Sequence, residues 1–332
     1  MLLTFSFRYR LSYMENSNQT ISNVFYLLGL STVPYLQVLS FIIFLLMYMS
    51  TFSGNLLLII VVTTNPTLHT PMYFFLSNLS LIDISFSSTI VPVLLKNTLS
   101  KDRSISLLAC AFQMFFALVL GATECILLSV MAYDRFVAIC RPLHYNTIMN
   151  KKVYVCLALV SWSVGIINAL IHVTLIFQLP FCRSHEVKNF FCEVPPFLKL
   201  SCKEPWLNEV AMYIATGIIV MFAFFLTVVS YIQIITTVLK IRSSEGRQKA
   251  FSTCASHLTV VSLYYGTLMF VYLQPRSSFS SEIAKTVSVL YTVVTPMLNP
   301  IIYSIRNKDV KNCALKLIKR KSNLLKTERG VS

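Results

Sequence analysis

Charge set inside or against long apolar runs is where this sequence could do chemistry. Asp134 and Arg135 are neighbours at the foot of one such run, where charge is either a snorkelling anchor or part of a mechanism. Asp83 and Glu124 lie in the middle of apolar runs, where no Lys or Arg is at hand to neutralise them. Two readings stay open for this pair: a cation or proton shared between the carboxylates, or polar packing with water. Four of the nine cysteines, Cys110, Cys182, Cys192 and Cys202, sit at the ends of or between apolar runs and offer disulfide chemistry; four thiols allow three pairings. His185, Cys192 and Glu193 are metal-ligand types, but a disulfide would consume the thiolate that a metal needs, so no metal is expected. No nucleophile–base set rises above chance, which argues against an enzyme.

The elements that must position these groups follow from composition. Of 332 residues, 55% are hydrophobic and 12% charged, with a mean hydropathy of +0.68, far too apolar for a soluble domain. Seven windows could span about 30 Å of hydrocarbon: Leu36–Val62, Met72–Leu95, Leu107–Cys140, Val153–Phe177, Trp206–Leu239, Ala250–Leu273 and Ile283–Ile305. Without the alternation of a membrane barrel, helices are the form that satisfies every backbone group internally. The expected fold is therefore an all-α membrane protein, a seven-transmembrane helix bundle at 36–305, between an extracellular N-terminal segment 1–35 and a cytoplasmic tail 306–332.

Orientation follows from the bases. Arg135, Arg141, Lys151 and Lys152, then Lys240, Arg242, Arg247 and Lys249, then the tail from Arg306 onward put most Lys and Arg on one side, which predicts an outside N-terminus and an inside C-terminus. The net charge of +15 thus describes a face for anionic lipid and an acidic partner, and nucleic acid is not expected. Asn18-Gln19-Thr20 is a glycosylation acceptor that fits an outside N-terminus, whereas Asn78-Leu79-Ser80 falls within a span. Residues 1–35 lack a secretory signal of standard form, the first span reads as an uncleaved anchor, and Met14 is an alternative start that would make 1–13 an extension.

Within the bundle, Asn55 puts one amide into the first span. Pro296-Met-Leu-Asn-Pro300 predicts a kinked hinge in the seventh, with Thr295 and Asn299 placed to re-satisfy freed backbone groups. Arg135, Tyr231, Lys249 and His257 could converge at the inner end, a pattern that suits a bundle opening and closing there. Cys125, Cys140, Cys156, Cys254 and Cys313 read as free thiols, Cys313 also as a palmitoylation site. Residues 306–320 place Val310, Cys313, Ala314, Leu317 and Ile318 at helical spacing among bases, a short amphipathic helix on the inner leaflet.

Several long motifs in order now carry a resemblance: Leu68-His-Thr-Pro-Met-Tyr-Phe-Phe-Leu-Ser-Asn-Leu-Ser80, Met131-Ala-Tyr-Asp-Arg-Phe-Val-Ala-Ile-Cys140, Lys249-Ala-Phe-Ser-Thr-Cys-Ala-Ser-His-Leu258 and Pro296-Met-Leu-Asn-Pro-Ile-Ile-Tyr303. From Met14 to about Arg320 the chain resembles odorant receptors of the rhodopsin-like G-protein-coupled class, in the terrestrial-vertebrate version. The resemblance implies that Asp134 and Arg135 form the family's ionic switch, Arg135 being freed toward the G protein with Tyr231, His257 and Tyr303 beside it. It implies disulfides Cys110–Cys192 and Cys182–Cys202, and a midmembrane network of Asn55, Asp83, Glu124 and Asn299 with a switch role. It implies no cofactor beyond a sodium ion or proton near Asp83 and Glu124. The implied partners are a small volatile odorant, the stimulatory olfactory G protein that raises cyclic AMP, and membrane lipid, at the plasma membrane of olfactory cilia.

The resemblance also puts the ligand in the outer half of the bundle. Ala117, Leu118, Gly121 and Ala122 share one helical face, Tyr265, Leu268 and Tyr272 another, with Val289 and Thr292 on the seventh span. Hydroxyls from Tyr265, Tyr272 and Thr292 in an apolar cavity suit a small volatile with one polar group, and the lack of a deep base disfavours a carboxylic acid. Two positions depart from the family's habit: Tyr264, where Phe is commoner, and Asn189, where many members have His, which weakens the metal reading further. The rival from another class is a secondary transporter, which would show repeated halves, and none are visible.

Overall fold

The computed structural model describes residues 24–30, 33–181, 185–202, 206–241, 243–273, 281–306, 310–313 and 315. Long helices make the frame. They are α1 (Pro34–Thr64), α2 (Pro71–Leu99), α3 (Leu107–Cys140), α4 (Lys151–Phe177), α5 (Trp206–Leu239) and α6 (Ser244–Leu273). The last, α7, runs as α-helix Ser281–Val289, a π-turn Leu290–Val294 and α-helix Thr295–Arg306. Among the described helices, six are long and apolar enough to cross a membrane. The exception, α6, has the length, but its polar inner part, from Glu245 and Arg247 to His257, makes it less apolar than its neighbours.

The local chemistry of the helix ends explains where they begin. Pro34 and Pro71 sit in first turns, where their missing N–H has no intrahelical partner to lose. Ser106 caps α3 by accepting from the Ala109 N–H, and Asn150 caps α4 by accepting from Val153. In α7 the prolines do make a defect, and it opens as the π-turn ahead of Pro296. Thr295 Oγ1 donates to the Leu290 carbonyl at 3.1 Å, as expected of a residue re-satisfying the kink, whereas Asn299 spends its amide elsewhere.

The faces are inverted relative to a soluble protein. Only 22% of the apolar window of α4 and 28% of that of α1 is buried, and Leu46, Ile218, Phe222 and Phe225 stand exposed. Hydrocarbon is the medium that removes this cost, so this is a multi-pass membrane protein.

Helix α3 is the central rod, packing against α2, α4, α5 and α6, while α7 closes the bundle against α1, α2 and α6. Close approach of α3 and α4 depends on Gly165. A Cβ there would collide with Thr123 Oγ1 and stand 2.7 Å from the Val119 carbonyl oxygen, so a small residue is needed at this crossing. Gly165→Leu is expected to cost about 1–3 kcal/mol of stability through overpacking and to cut cell-surface delivery. Gly217→Leu, with nothing within 4 Å, should leave delivery intact; surface immunostaining of both variants checks the pair.

The outer end carries structure that the apolar windows do not announce. Strand β1 (Val24–Leu27) pairs antiparallel with β2 (Ser104–Ser106), and parallel with β3 (Glu186–Val187), giving the order β2-β1-β3. Tyr26 stands opposite Ser104 on one side and Glu186 on the other. The strand alternates, with Phe25 and Leu27 buried and Tyr26 exposed, as period-2 geometry requires. Phe25 stacks into an aromatic group with Phe181 and Phe197, at ring distances of 5.7 and 4.8 Å. Residues 24–27 are thus stitched over the mouth of the bundle. At the inner end, residues 310–313 and 315 are helical, with Val310 buried in the core and Cys313 packed against it. The expected Ala314, Leu317 and Ile318 contacts, the acceptor Asn18 and the alternative start Met14 lie outside the described residues.

Candidate ligand cavity and inner latch

A cavity of about 120 Å³ lies in the outer half of the bundle. Helix α3 supplies Met114, Ala117, Leu118, Gly121, Ala122 and Cys125, and α5 supplies Met212, Thr216, Ile219 and Val220. Phe86 of α2, Asn168 of α4, Leu268 of α6 and Tyr291 of α7 complete the wall, and 191–195 form the roof. Of the residues that helical spacing suggests, Ala117, Leu118, Gly121, Ala122 and Leu268 line this cavity. The Tyr272 side chain lies outside the described residues.

Three expected contacts sit elsewhere, for a reason that helical spacing cannot reveal. Tyr265 is buried in the core and donates its hydroxyl to the Cys125 carbonyl at 2.8 Å, with Tyr264 donating to the Gly121 carbonyl at 2.7 Å. Thr292 donates back to the Ser288 carbonyl at 2.6 Å, and Val289 packs against the core. A hydroxyl in an apolar span satisfies itself on the nearest backbone carbonyl, so these protons are turned away from the cavity. The polar groups on its wall are instead Glu193, Asn168, Thr216 and Tyr291.

The roof is fastened from two sides. Cys192 is disulfide-bonded to Cys110 at the start of α3, and its N–H donates to Gln113 Oε1 at 2.8 Å. Cys202 is also disulfide-bonded; its expected partner Cys182 lies outside the described residues. The next residue, Glu193, takes hydrogen bonds from Asn189 at 2.6 Å and Ser288 at 3.3 Å on Oε2, and from Tyr291 at 2.7 Å on Oε1. Burial pushes its carboxyl above the ordinary value, against the lowering by those three donors. Asn189, where His would have offered a ligand, is thus a hydrogen-bond donor, and among the described residues no cluster could hold a metal.

Of the four midmembrane groups, the structure pairs Asp83 with Asn299. Asn299 Nδ2 donates to both oxygens of Asp83, at 3.1 and 3.0 Å. Asn55 Nδ2 spans from the Thr51 carbonyl at 3.0 Å to the Pro296 carbonyl at 3.1 Å, which ties α1 to the kink in α7. Glu124 is buried with Oε1 lacking any partner.

At the inner end Asp134 is fully buried, and Arg135 Nη2 meets its Oδ2 at 3.0 Å. The other carboxylate oxygen accepts the Tyr145 hydroxyl at 2.8 Å. Burial and the adjacent Asp134 carboxylate push the Tyr145 hydroxyl up, so it stays a donor. Tyr145 stands in a short helical turn after Pro142-Leu-His144, just beyond the motif that carries Asp134, and has no role in the sequence reading. Tyr231 and His257, expected to face Arg135, bond to each other at 2.8 Å with stacked rings. Arg135 Nε and the Tyr303 hydroxyl are buried without partners, which leaves donors in reserve beside the latch. The Lys249 side chain lies outside the described residues.

Comparison with known proteins agrees with the motifs. A family model described as olfactory receptor matches residues 44–321. The chain is 47% identical over 308 residues to olfactory receptor 5AR1 of Mus musculus, covering 93% of this chain and 99% of that one. It is 47% identical to olfactory receptor 10A3 of Homo sapiens, covering 93% and 98%. Olfactory receptor 13C9 of Homo sapiens is likewise 47% identical over 314 residues, covering 93% and 99%.

Proposed function

The chain belongs to the olfactory receptor family, which makes it an odorant-sensing G-protein-coupled receptor and not an enzyme, and we propose that its odorant occupies the cavity under the Cys110–Cys192 roof. One observation carries this reading: the cavity is mostly apolar, yet Glu193, Asn168, Thr216 and Tyr291 reach its wall. An apolar hollow with a few polar points is how small-molecule sites are built. A volume of about 120 Å³ is of the order of an engineered cavity of about 150 Å³ that takes benzene, so a ligand of about six heavy atoms is in scale.

The output is carried at the other end. Ligand binding favours an arrangement in which α6 and the hinged α7 move away from α3, Arg135 leaves Asp134, and Tyr231, His257 and Tyr303 rearrange around it. The reserve donors at Arg135 Nε and Tyr303 support this reading, since they have partners to gain. The partner is the stimulatory olfactory G protein, with cyclic AMP as product. Asp83, Glu124, Asn55 and Asn299 form the polar relay between the ends. A proton or sodium ion held by Asp83 and Glu124 fits the unpartnered Glu124 oxygen and would bias that relay; family members need no cofactor for the reading to stand.

Residues 1–35 and Asn18 face the outside, 36–305 cross the membrane, and 306–332 lie in the cytoplasm against inner-leaflet lipid, at the plasma membrane of olfactory cilia. The Lys and Arg of the inner loops and tail support that orientation. Cavity variants test the ligand site through cyclic AMP in cells carrying the stimulatory G protein. Leu118→Ala and Gly121→Leu, which widen and fill the cavity, should each move odorant potency by about tenfold or more, a change of roughly 1.4 kcal/mol, with surface expression unchanged. Superimposable dose–response curves would remove α3 from the site.

A further inference from the structure

Among the described residues Glu193 is the one carboxyl on the cavity wall, and its surroundings define what it lacks. The roof cannot easily carry it away, because Cys192 beside it is held by the disulfide to Cys110 and by Gln113. Its three partners, Asn189, Ser288 and Tyr291, are neutral, and among the described residues no Lys, Arg or His lines the cavity. Oε1 accepts a single bond, whereas a carboxylate oxygen has room for two. Across the cavity, Asn168 is nine-tenths buried, and its side-chain oxygen has no partner. The wall therefore presents acceptor capacity around one ionisable carboxyl, with no positive charge beside it among the described residues.

Resting on the reading of this cavity as the odorant site, we propose that Glu193 determines specificity by accepting the nitrogen of a small amine, bound as its ammonium on Oε1 with the apolar body among Leu118, Ile219 and Val220. Charge-assisted hydrogen bonds are about twice as strong as neutral ones, and a buried carboxylate without a counter-charge is costly, so an ammonium gains more here than an equally sized alcohol. A carboxylic acid would add a second negative charge and is excluded. Burial raises the Glu193 carboxyl, which eases entry of a volatile amine as its free base. The carboxyl O–H breaks, the proton forms an N–H bond on the amine, and the resulting pair adds no net charge to the site.

The test uses full-length receptor at the cell surface and straight-chain amines from butyl to octyl, each against the alcohol and carboxylic acid of the same chain length. Wild type should respond to its best amine at a concentration at least tenfold below that of the matched alcohol, with no response to the acid. Glu193→Gln, which keeps the shape, should bring the amine-to-alcohol potency ratio to about one. Glu193→Asp should preserve the preference at reduced potency. An alcohol or acid as potent as the amine in wild type overturns the proposal, as does an unchanged ratio in Glu193→Gln; the wild-type series decides alone if the variants fail to reach the surface. Silence of cyclic AMP toward every compound would count against the G-protein reading, and thermal stabilisation of purified receptor then decides separately. Stabilisation of wild type by the amine and not by the alcohol supports the Glu193 site; stabilisation by neither or by both overturns it.

Discussion

Arg135→Ala should abolish the odorant-evoked rise in cyclic AMP in cells where its surface expression matches wild type. In the closed arrangement Arg135 is committed to a fully buried Asp134, with Tyr145 on the second carboxylate oxygen. Removing one partner of a buried pair leaves an uncompensated charge, a cost of about 3–5 kcal/mol, so part of the variant protein will fail to fold, and the comparison must be made at equal surface density. Among correctly delivered receptors the loss is of a different kind. Without the guanidinium no group remains to leave Asp134 and meet an acidic partner, and the coupling between ligand and G protein disappears. Couplings of this sort amount to about 1–3 kcal/mol, or roughly 5–150-fold in affinity, so the result should be a flat response or a potency shift at the upper end of that range. An unchanged dose–response curve would leave the pair as an anchor only.

Cys192→Ala should remove the receptor from the cell surface almost completely. Its bond to Cys110 closes a sequence separation of 82 residues, and losing a native disulfide costs about 2–5 kcal/mol, comparable to a large share of the stability of a typical protein. The roof residues would lose their fastening to α3 at the same time, leaving Gln113 to hold a free loop. Surface staining measures the first effect. Any fraction that does arrive should respond to odorant more weakly, because the residues of 191–195 no longer hold their place over the cavity. Equal staining of Cys110→Ala, Cys192→Ala and wild type would show that the roof is held by its packing instead.

Much of the frame could be read from the chain because its signals are local. Leu107–Cys140 and Trp206–Leu239 begin and end where the apolar windows do, and Pro34 and Pro71 advertise the starts of α1 and α2. The α3 wall of the cavity was legible for the same reason: Ala117, Leu118, Gly121 and Ala122 share a face by helical spacing alone. Hydroxyl direction was not. Tyr265 and Thr292 have the right spacing, but a side-chain torsion decides whether an O–H points to a ligand or to the Cys125 or Ser288 carbonyl, and torsions leave no periodic trace. Glu193 and Asn168 escaped because a roof and a wall from different parts of the chain bring them to one hollow; in sequence Glu193 is only the acid after a cysteine. Tyr145 stood in plain view, yet its reach to Asp134 needs the turn at Pro142 to fold back. The strand β1 is four residues long, Val24-Phe-Tyr-Leu27, with no polar alternation to announce it, and its pairing means little until the distant Ser104–Ser106 and Glu186–Val187 are beside it.

That strand has a consequence for how the molecule is made. Tyr26 emerges early in synthesis, yet its partner at Glu186 follows only after α1 to α4 have been laid down. The N-terminal segment must therefore wait with its backbone groups unpaired while much of the chain is synthesised at roughly 5–20 residues per second, and the sheet can close only when its most distant strand arrives. Closure of this sheet is thus deferred past the middle of the chain, and a newly made receptor passes through a stage in which α1 to α4 have been made while its mouth stands open.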